Sequence, residues 1–350
     1  THMMGIKAKA LYEDLPFVFQ MIQEILCTSK LEDEKRLYEI LAKMKSRMQM
    51  SMISAGHSTA VNRALSYFSE NAYFQEQIAG IDFYDLIDDL EKNFQEKKTE
   101  IIENLKELMG LVFRRENLIV SYTADQKGYS RLEKEVEGLK SVLPDGEMED
   151  VCLKPVFENK NEGFQTSGQV QYVAVAGNFA DEGYEYTGAL RILKVMLSYE
   201  YLWTNIRVKG GAYGCMSGFR RTGDGFLVSY RDPHLKNTLE VFRKTGDFIR
   251  SFDADEREMT KYIIGTISEI DAPLTPSAKG AMSLNAWFSG ITEEDMEKER
   301  REILDAQPQD IQNLAGIVDA IVDQDRICVI GSEEKIQQDK EVFKEIKHLL

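Results

Sequence analysis

An arginine and a tyrosine six positions apart, separated by two glycines, are the residues of this chain best suited to chemistry. They lie in the run Arg207-Val208-Lys209-Gly210-Gly211-Ala212-Tyr213-Gly214. Neither is a general base at neutral pH, because a guanidinium stays protonated and an unperturbed phenol titrates near about 10. Both donate hydrogen bonds. Two donors aimed at one carbonyl oxygen stabilise the charge that grows there during acyl transfer, and loss of one such donor costs roughly 2.7–4 kcal/mol. Fully extended, six residues span up to about 20 Å. The pair can therefore meet one ligand only if the chain reverses at Gly210-Gly211, the residue type that tolerates such a turn. The opposing reading is structural, with Arg207 closing a helix C-terminus and Tyr213 packed in a sheet.

Delivering those side chains takes a helix on one side and a strand on the other. Leu190, Ile192, Leu193, Met196 and Leu197 recur at helical spacing, within a helix expected over 182–206. Strands are expected over 212–220 and 226–230, joined as a hairpin by Thr222-Gly223-Asp224-Gly225. Tyr213 then shares a strand face with Cys215, Ser217 and Phe219. Ser229-Tyr230-Arg231-Asp232-Pro233 follows. There Asp232 and Pro233 suit the start of the next helix, leaving Arg231 able to face a ligand.

The N-terminal part reads as helical over 15–26, 31–52, 57–73 and 83–108, followed by a buried strand over 117–122 and a helix over 130–139. Pro144, Asp145-Gly146, Pro155 and Gly163 mark a connector over 143–167, and 170–176 reads as a strand. After the hairpin come helices over 239–252, 256–270, 278–288 and 308–321, a strand over 326–330 and a terminal helix over 332–349. Helix, acidic break, further helices, strand and helix thus occur twice, Leu31-Glu32-Asp33 answering Asp253-Ala254-Asp255. Only the second copy has a sheet-forming lead-in, from about residue 169 to 230. A helical layer without its sheet buries its apolar face poorly, so the chain is expected to begin inside a domain whose early strands lie upstream. The expected division is a truncated helix-rich domain at 4–142, a linker at 143–167 and a complete α+β domain at 168–350.

Composition narrows the function classes. The chain has 350 residues, 43% hydrophobic and 29% charged, enough for two ordinary cores. No apolar run reaches the roughly 18 residues that would cross a bilayer, no signal-peptide pattern opens the chain, and Thr1-His2-Met3 reads as a tag remnant. A formal charge of -16 opposes a nucleic-acid partner and leaves basic or extended peptides as ligands. Cys27, Cys152, Cys215 and Cys328 stand alone, which fits a reducing cytoplasm. Gly177 follows a strand pattern, but Phe179 and Glu182 occupy the places where a dinucleotide fingerprint needs glycines.

Tyr201-Leu202-Trp203-Thr204-Asn205-Ile206-Arg207, then Gly210 to Gly214, then Ser229 to Pro233, resemble in order and spacing the C-terminal half of presequence-protease-like zinc peptidases of the pitrilysin/insulinase superfamily. The resemblance implies an α+β fold of two related mitochondrial-processing-peptidase-like (ferredoxin-like) domains, the first truncated here. It implies a clamshell of two homologous halves around a chamber that degrades unfolded peptides. The N-terminal half of the same polypeptide would hold Zn2+ through HxxEH, while Arg207 and Tyr213 bind and polarise the scissile peptide. Gly210, Gly211, Ala212 and Arg231 would contact substrate. This chain has no HxxEH, its histidines His57, His234 and His348 being scattered, so no metal site is expected in it and the fragment alone is expected to be inactive. The alternative is a non-catalytic homologue that docks to a catalytic partner.

Overall fold

The structure is a computed structural model that describes residues 3–146 and 154–349; Cys152 lies outside them. Seven helices open the chain: α1 (Leu15–Thr28), α2 (Glu34–Ser54), α3 (Gly56–Ser66), α4 (Glu70–Ala79), α5 (Ile81–Lys92), α6 (Phe94–Val112) and α7 (Tyr129–Val142). Next come β1 (Asn161–Thr166), β2 (Tyr172–Asn178), α8 (Ala189–Tyr199), a π-helical turn at Trp203–Val208, β3 (Gly214–Phe219) and β4 (Asp224–Tyr230). Then follow α9 (Lys236–Arg243), α10 (Thr245–Arg250), α11 (Glu256–Ile270), α12 (Pro276–Ser289), α13 (Glu293–Leu304), α14 (Pro308–Gln312) and α15 (Ala315–Asp323). The chain closes with β5 (Arg326–Ser332), α16 (Glu333–Gln338) and β6 (Glu345–His348). The fold class is α+β.

The chain forms two compact units. The described residues of the first fall within Thr1–Lys45, Ile87–Lys154 and Pro273–Ile291. Its apolar cluster joins Phe19 of α1 to Leu132, Leu139 and Leu143 in and after α7, with Leu118 and Tyr122 packed against them. The segment 117–122 therefore buries side chains as a strand would, but it is irregular in backbone. A strand needs a neighbour to take its N–H and C=O groups, and no described residue of this unit forms one. The helix expected over 83–108 is two helices, broken at Asn93, whose side chain donates to Asp89 at 2.8 Å.

The described residues of the second unit fall within Ser46–Leu86, Pro155–Ala272 and Thr292–Leu350. Among them, six strands form one sheet in the order β3-β4-β2-β5-β1-β6. β1 runs parallel to β5 and β6, and the other ladders are antiparallel. Alternation along the strands makes both faces apolar. Val173, Val175, Leu227, Ile327 and Val329 meet α8, α9 and α15. Ala174, Ala176, Val228, Cys328 and Ile330 meet Ala60, Val61, Ala64 and Leu65 of α3.

Two elements correct the sequence reading of this unit. The expected connector holds strand β1, and the expected terminal helix is a short α16 followed by strand β6. Both depend on Glu162 in mid-strand, which is fully buried. Its carboxylate accepts from Arg63 Nε at 2.6 Å and Nη2 at 3.0 Å, Tyr67 Oη at 2.7 Å and Lys347 Nζ at 3.0 Å. Burial alone would raise its pKa, but hydrogen bonds and charge from Arg63, with Tyr67 and Lys347, bring it down to about 2. A depressed carboxylate stabilises the fold above its unfolded value of 4.5, and that contribution is lost as pH falls toward 2. Replacing Arg63 by leucine strands two buried carboxylates, Glu162 and Glu76. The expected cost is about 3–5 kcal/mol in urea unfolding at neutral pH, and a loss below about 1 kcal/mol, the scale of an exposed pair, would contradict this role.

Candidate functional site

After α8 the backbone loosens at Glu200 (φ −106°, ψ −87°) and re-forms as the π-helical turn. Lys209 N–H donates to the Thr204 carbonyl at 3.0 Å, five residues back. Two further bonds then fold the glycines against that turn: Gly211 N–H to Arg207 O at 2.9 Å and Ala212 N–H to Ile206 O at 3.1 Å. Gly211 has φ +81°, in the left-handed region. At Gly210 a Cβ would lie 2.5 Å from the Ile206 carbonyl oxygen. Both glycines are therefore required by the reversal, for different reasons.

The reversal places Arg207 and Tyr213 at the two ends of one tight loop leading into β3, the edge strand of the sheet. Tyr213 N–H donates to Tyr230 O at 3.0 Å, which ties the residue to β4 while its side chain stays 66% exposed. The Arg207 guanidinium lies 3.9 Å from the centroid of the Trp203 ring. Such stacking fixes a cation by one face and leaves its edge N–H groups free to donate. The Arg231 guanidinium lies 5.8 Å from the Tyr213 ring and 5.5 Å from the Tyr230 ring. Arg231 itself has φ +49°, a sparsely populated conformation for a side chain other than glycine.

Asp232 is fully buried and anchors this corner. It accepts from His234 N at 2.9 Å and Thr238 Oγ1 at 2.7 Å, and its backbone bridges to Gln171. It is thus the strut of the loop, while Leu235 stands at the start of α9. Of the sequence-expected contacts, Gly210, Gly211 and Arg231 lie at the loop surface. Ala212 is buried, so its methyl packs in the core and only its backbone borders the edge. Cys215 lies beneath; burial and the nearby Asp232 charge push its thiol up to about 11 despite Arg207, so it stays protonated and is no nucleophile. Among the described residues, no group of three His, Cys, Asp or Glu side chains could hold a metal ion.

Sequence reasoning passed over Trp203, four residues before Arg207, although an aromatic at that helical spacing is the available signal for a stacked arginine. It also gave His57 only a helix-start role. His57 packs edge-on against Tyr230 with ring centroids 4.8 Å apart, and Tyr172 lies beside both.

Two family models match the chain: the PreP C-terminal domain over residues 161–333, and a peptidase-associated domain of the same group of metallopeptidases over residues 1–90. The chain belongs to the presequence-protease family. The Clostridium perfringens protein HypA is 38% identical over 99% of this chain, which covers 36% of that protein. Presequence protease 1 of Arabidopsis thaliana, chloroplastic/mitochondrial, is 30% identical over 99% of this chain and 32% of its own length. The chain thus spans about a third of the curated relatives it matches. The fold is that of pitrilysin, with a TM-score of 0.58 at 14% identity over 91% of this chain and 33% of that one. A protease from Helicobacter pylori superimposes with a TM-score of 0.57 at 11% identity, covering 91% and 76%.

If the reversal aims Arg207, Gly210→Ala must disturb it while Gly214→Ala, whose Cβ would meet only Tyr230 at 3.8 Å, must not. We expect Gly210→Ala to lower the melting temperature by several degrees and to shift Trp203 fluorescence, with Gly214→Ala close to wild type. Equal behaviour of the two variants would contradict the assigned strain.

Proposed function

We propose that this chain is the substrate-polarising, C-terminal half of a zinc-dependent metalloendopeptidase acting on unfolded peptides. Its partner is the N-terminal half of the same polypeptide, and the observation that carries the reading is the shared loop. One edge-strand turn presents an arginine stacked by one face and a phenol 66% exposed, beside a second arginine and with no buried base among them. That is an arrangement of donors.

A peptide carbonyl entering the edge would accept from Tyr213 Oη–H and an Arg207 N–H. As its carbon became tetrahedral, the oxygen would gain charge and both bonds would strengthen, so the stabilisation falls on the transition state. No proton leaves either donor. Arg231 would meet a neighbouring carbonyl or carboxylate of the same peptide. The residues of this chain do not fit a catalytic metal, which needs about three protein ligands and an open position. The metal's chemistry would come from elsewhere in the enzyme, and the steps assigned here are those of hydrogen-bond donation alone. Cys27, Cys215 and Cys328 are free thiols, supporting a reducing compartment such as the cytoplasm.

The test is steady-state kinetics on the full polypeptide that contains this chain, with a fluorogenic peptide. Tyr213→Phe is expected to lower kcat by about 100-fold or more with KM nearly unchanged, the signature of an oxyanion donor. An unchanged kcat would remove the phenol from the transition state, and would favour a docking role for this half.

A further inference from the structure

Away from that edge, the helices that cover the sheet of the second unit enclose a cavity of about 100 Å³. Ser51, Met52, Thr59, Asn62, Glu76 and Gly80 are among its lining residues. Glu76 is 1% exposed. Its Oε1 is saturated, accepting from Arg63 Nη1 at 3.0 Å, Ile81 N at 2.8 Å and Asp82 N at 3.2 Å. Its Oε2 is buried with no hydrogen-bond partner. Gly80 makes that position possible, since a Cβ there would lie 2.1 Å from Oε2.

The charge balance around this oxygen is uneven. The Arg63 guanidinium is shared among Glu162, Glu76 and Asp82. Lys347 serves Glu162 from the other side, and Asp82 is half-exposed, where water attenuates its charge. Glu76 is left with a fraction of one cation, and a buried carboxylate so placed demands further positive charge. The remaining polar lining, Ser51, Thr59 and Asn62, supplies neutral oxygens.

We propose that this cavity binds one monovalent cation of the Na⁺/K⁺ class, through Glu76 Oε2 and the oxygens of Ser51, Thr59 and Asn62. A single carboxylate among neutral oxygens suits one positive charge, whereas Ca²⁺ takes about 6–8 oxygens rich in carboxylates. A water's share of liquid volume is about 30 Å³, so the space holds an ion with one or two waters and excludes a large organic cation. Bound there, the ion completes the charge balance of the layer that α3 and α4 lay on the sheet.

Thermal unfolding of the intact chain at fixed ionic strength, in potassium, sodium or tetramethylammonium chloride, tests this. The melting temperature is expected to rise saturably by several degrees with K⁺ or Na⁺ and not with tetramethylammonium, as linkage requires of an ion that binds only the folded state. Asn62→Ala and Thr59→Val line the cavity but lie outside the Arg63 network. Each is expected to fold in tetramethylammonium as wild type does and to lose at least half of the ion-specific rise; Glu76→Gln should abolish it. Identical melting in all three salts would overturn the proposal and leave Glu76 holding a proton. A full rise retained in both lining variants would overturn it as well.

Discussion

Glu162 sits in the middle of a strand, out of reach of water, with Arg63, Tyr67 and Lys347 closing around its carboxylate. Through these contacts one buried charge joins β1 to α3 and to β6. An ionised carboxylate in an apolar layer is tolerated only when paired and hydrogen-bonded, so the helix carrying Arg63 must lie where it does. With α3 held on one face and α8, α9 and α15 on the other, the sheet is covered twice. What remains open on the far side of the sheet is the β3 edge, which leads out of the glycine reversal.

The site follows from that arrangement. A sheet edge offers unpaired backbone, and here it also offers side chains with unspent donors. Arg207 is fixed by Trp203 without being neutralised, because an aromatic face restrains a cation while leaving its N–H edge available. Tyr213 is fixed by its backbone bond to Tyr230 rather than by its side chain. The strain in the corner, at Gly211 and Arg231, is held by the buried Asp232 beneath it. Rigid backbone and free donor groups are the combination that electrostatic preorganisation asks for.

Much of this was legible in the residues themselves. Helix α11 runs over the range its pattern defines, opened by the Asp255 capping box. The β3–β4 hairpin and the glycine reversal follow from local chemistry, because glycine placement is a local requirement. β1 was hidden, since Asn161, Glu162 and Gly163 look like loop until Arg63, 99 residues away, is known to satisfy the glutamate. β6 was hidden for the same reason, its lysine completing that cluster. Such pairings are tertiary and override local propensity. The break between α8 and the π-helical turn was also missed, because the apolar spacing runs on through it while the hydrogen-bond register changes.

The central claim is that Arg207 and Tyr213 spend their hydrogen bonds on a tetrahedral oxygen rather than on the fold or on ground-state binding. The most direct test measures, across Arg207 and Tyr213 variants of the full enzyme, the inhibition constant of a tetrahedral peptide analogue against kcat/KM for the matching substrate. A logarithmic plot with slope near one is predicted, because each lost donor should weaken analogue and transition state alike. A flat plot, with kcat/KM unaltered or analogue affinity independent of both side chains, would contradict the account.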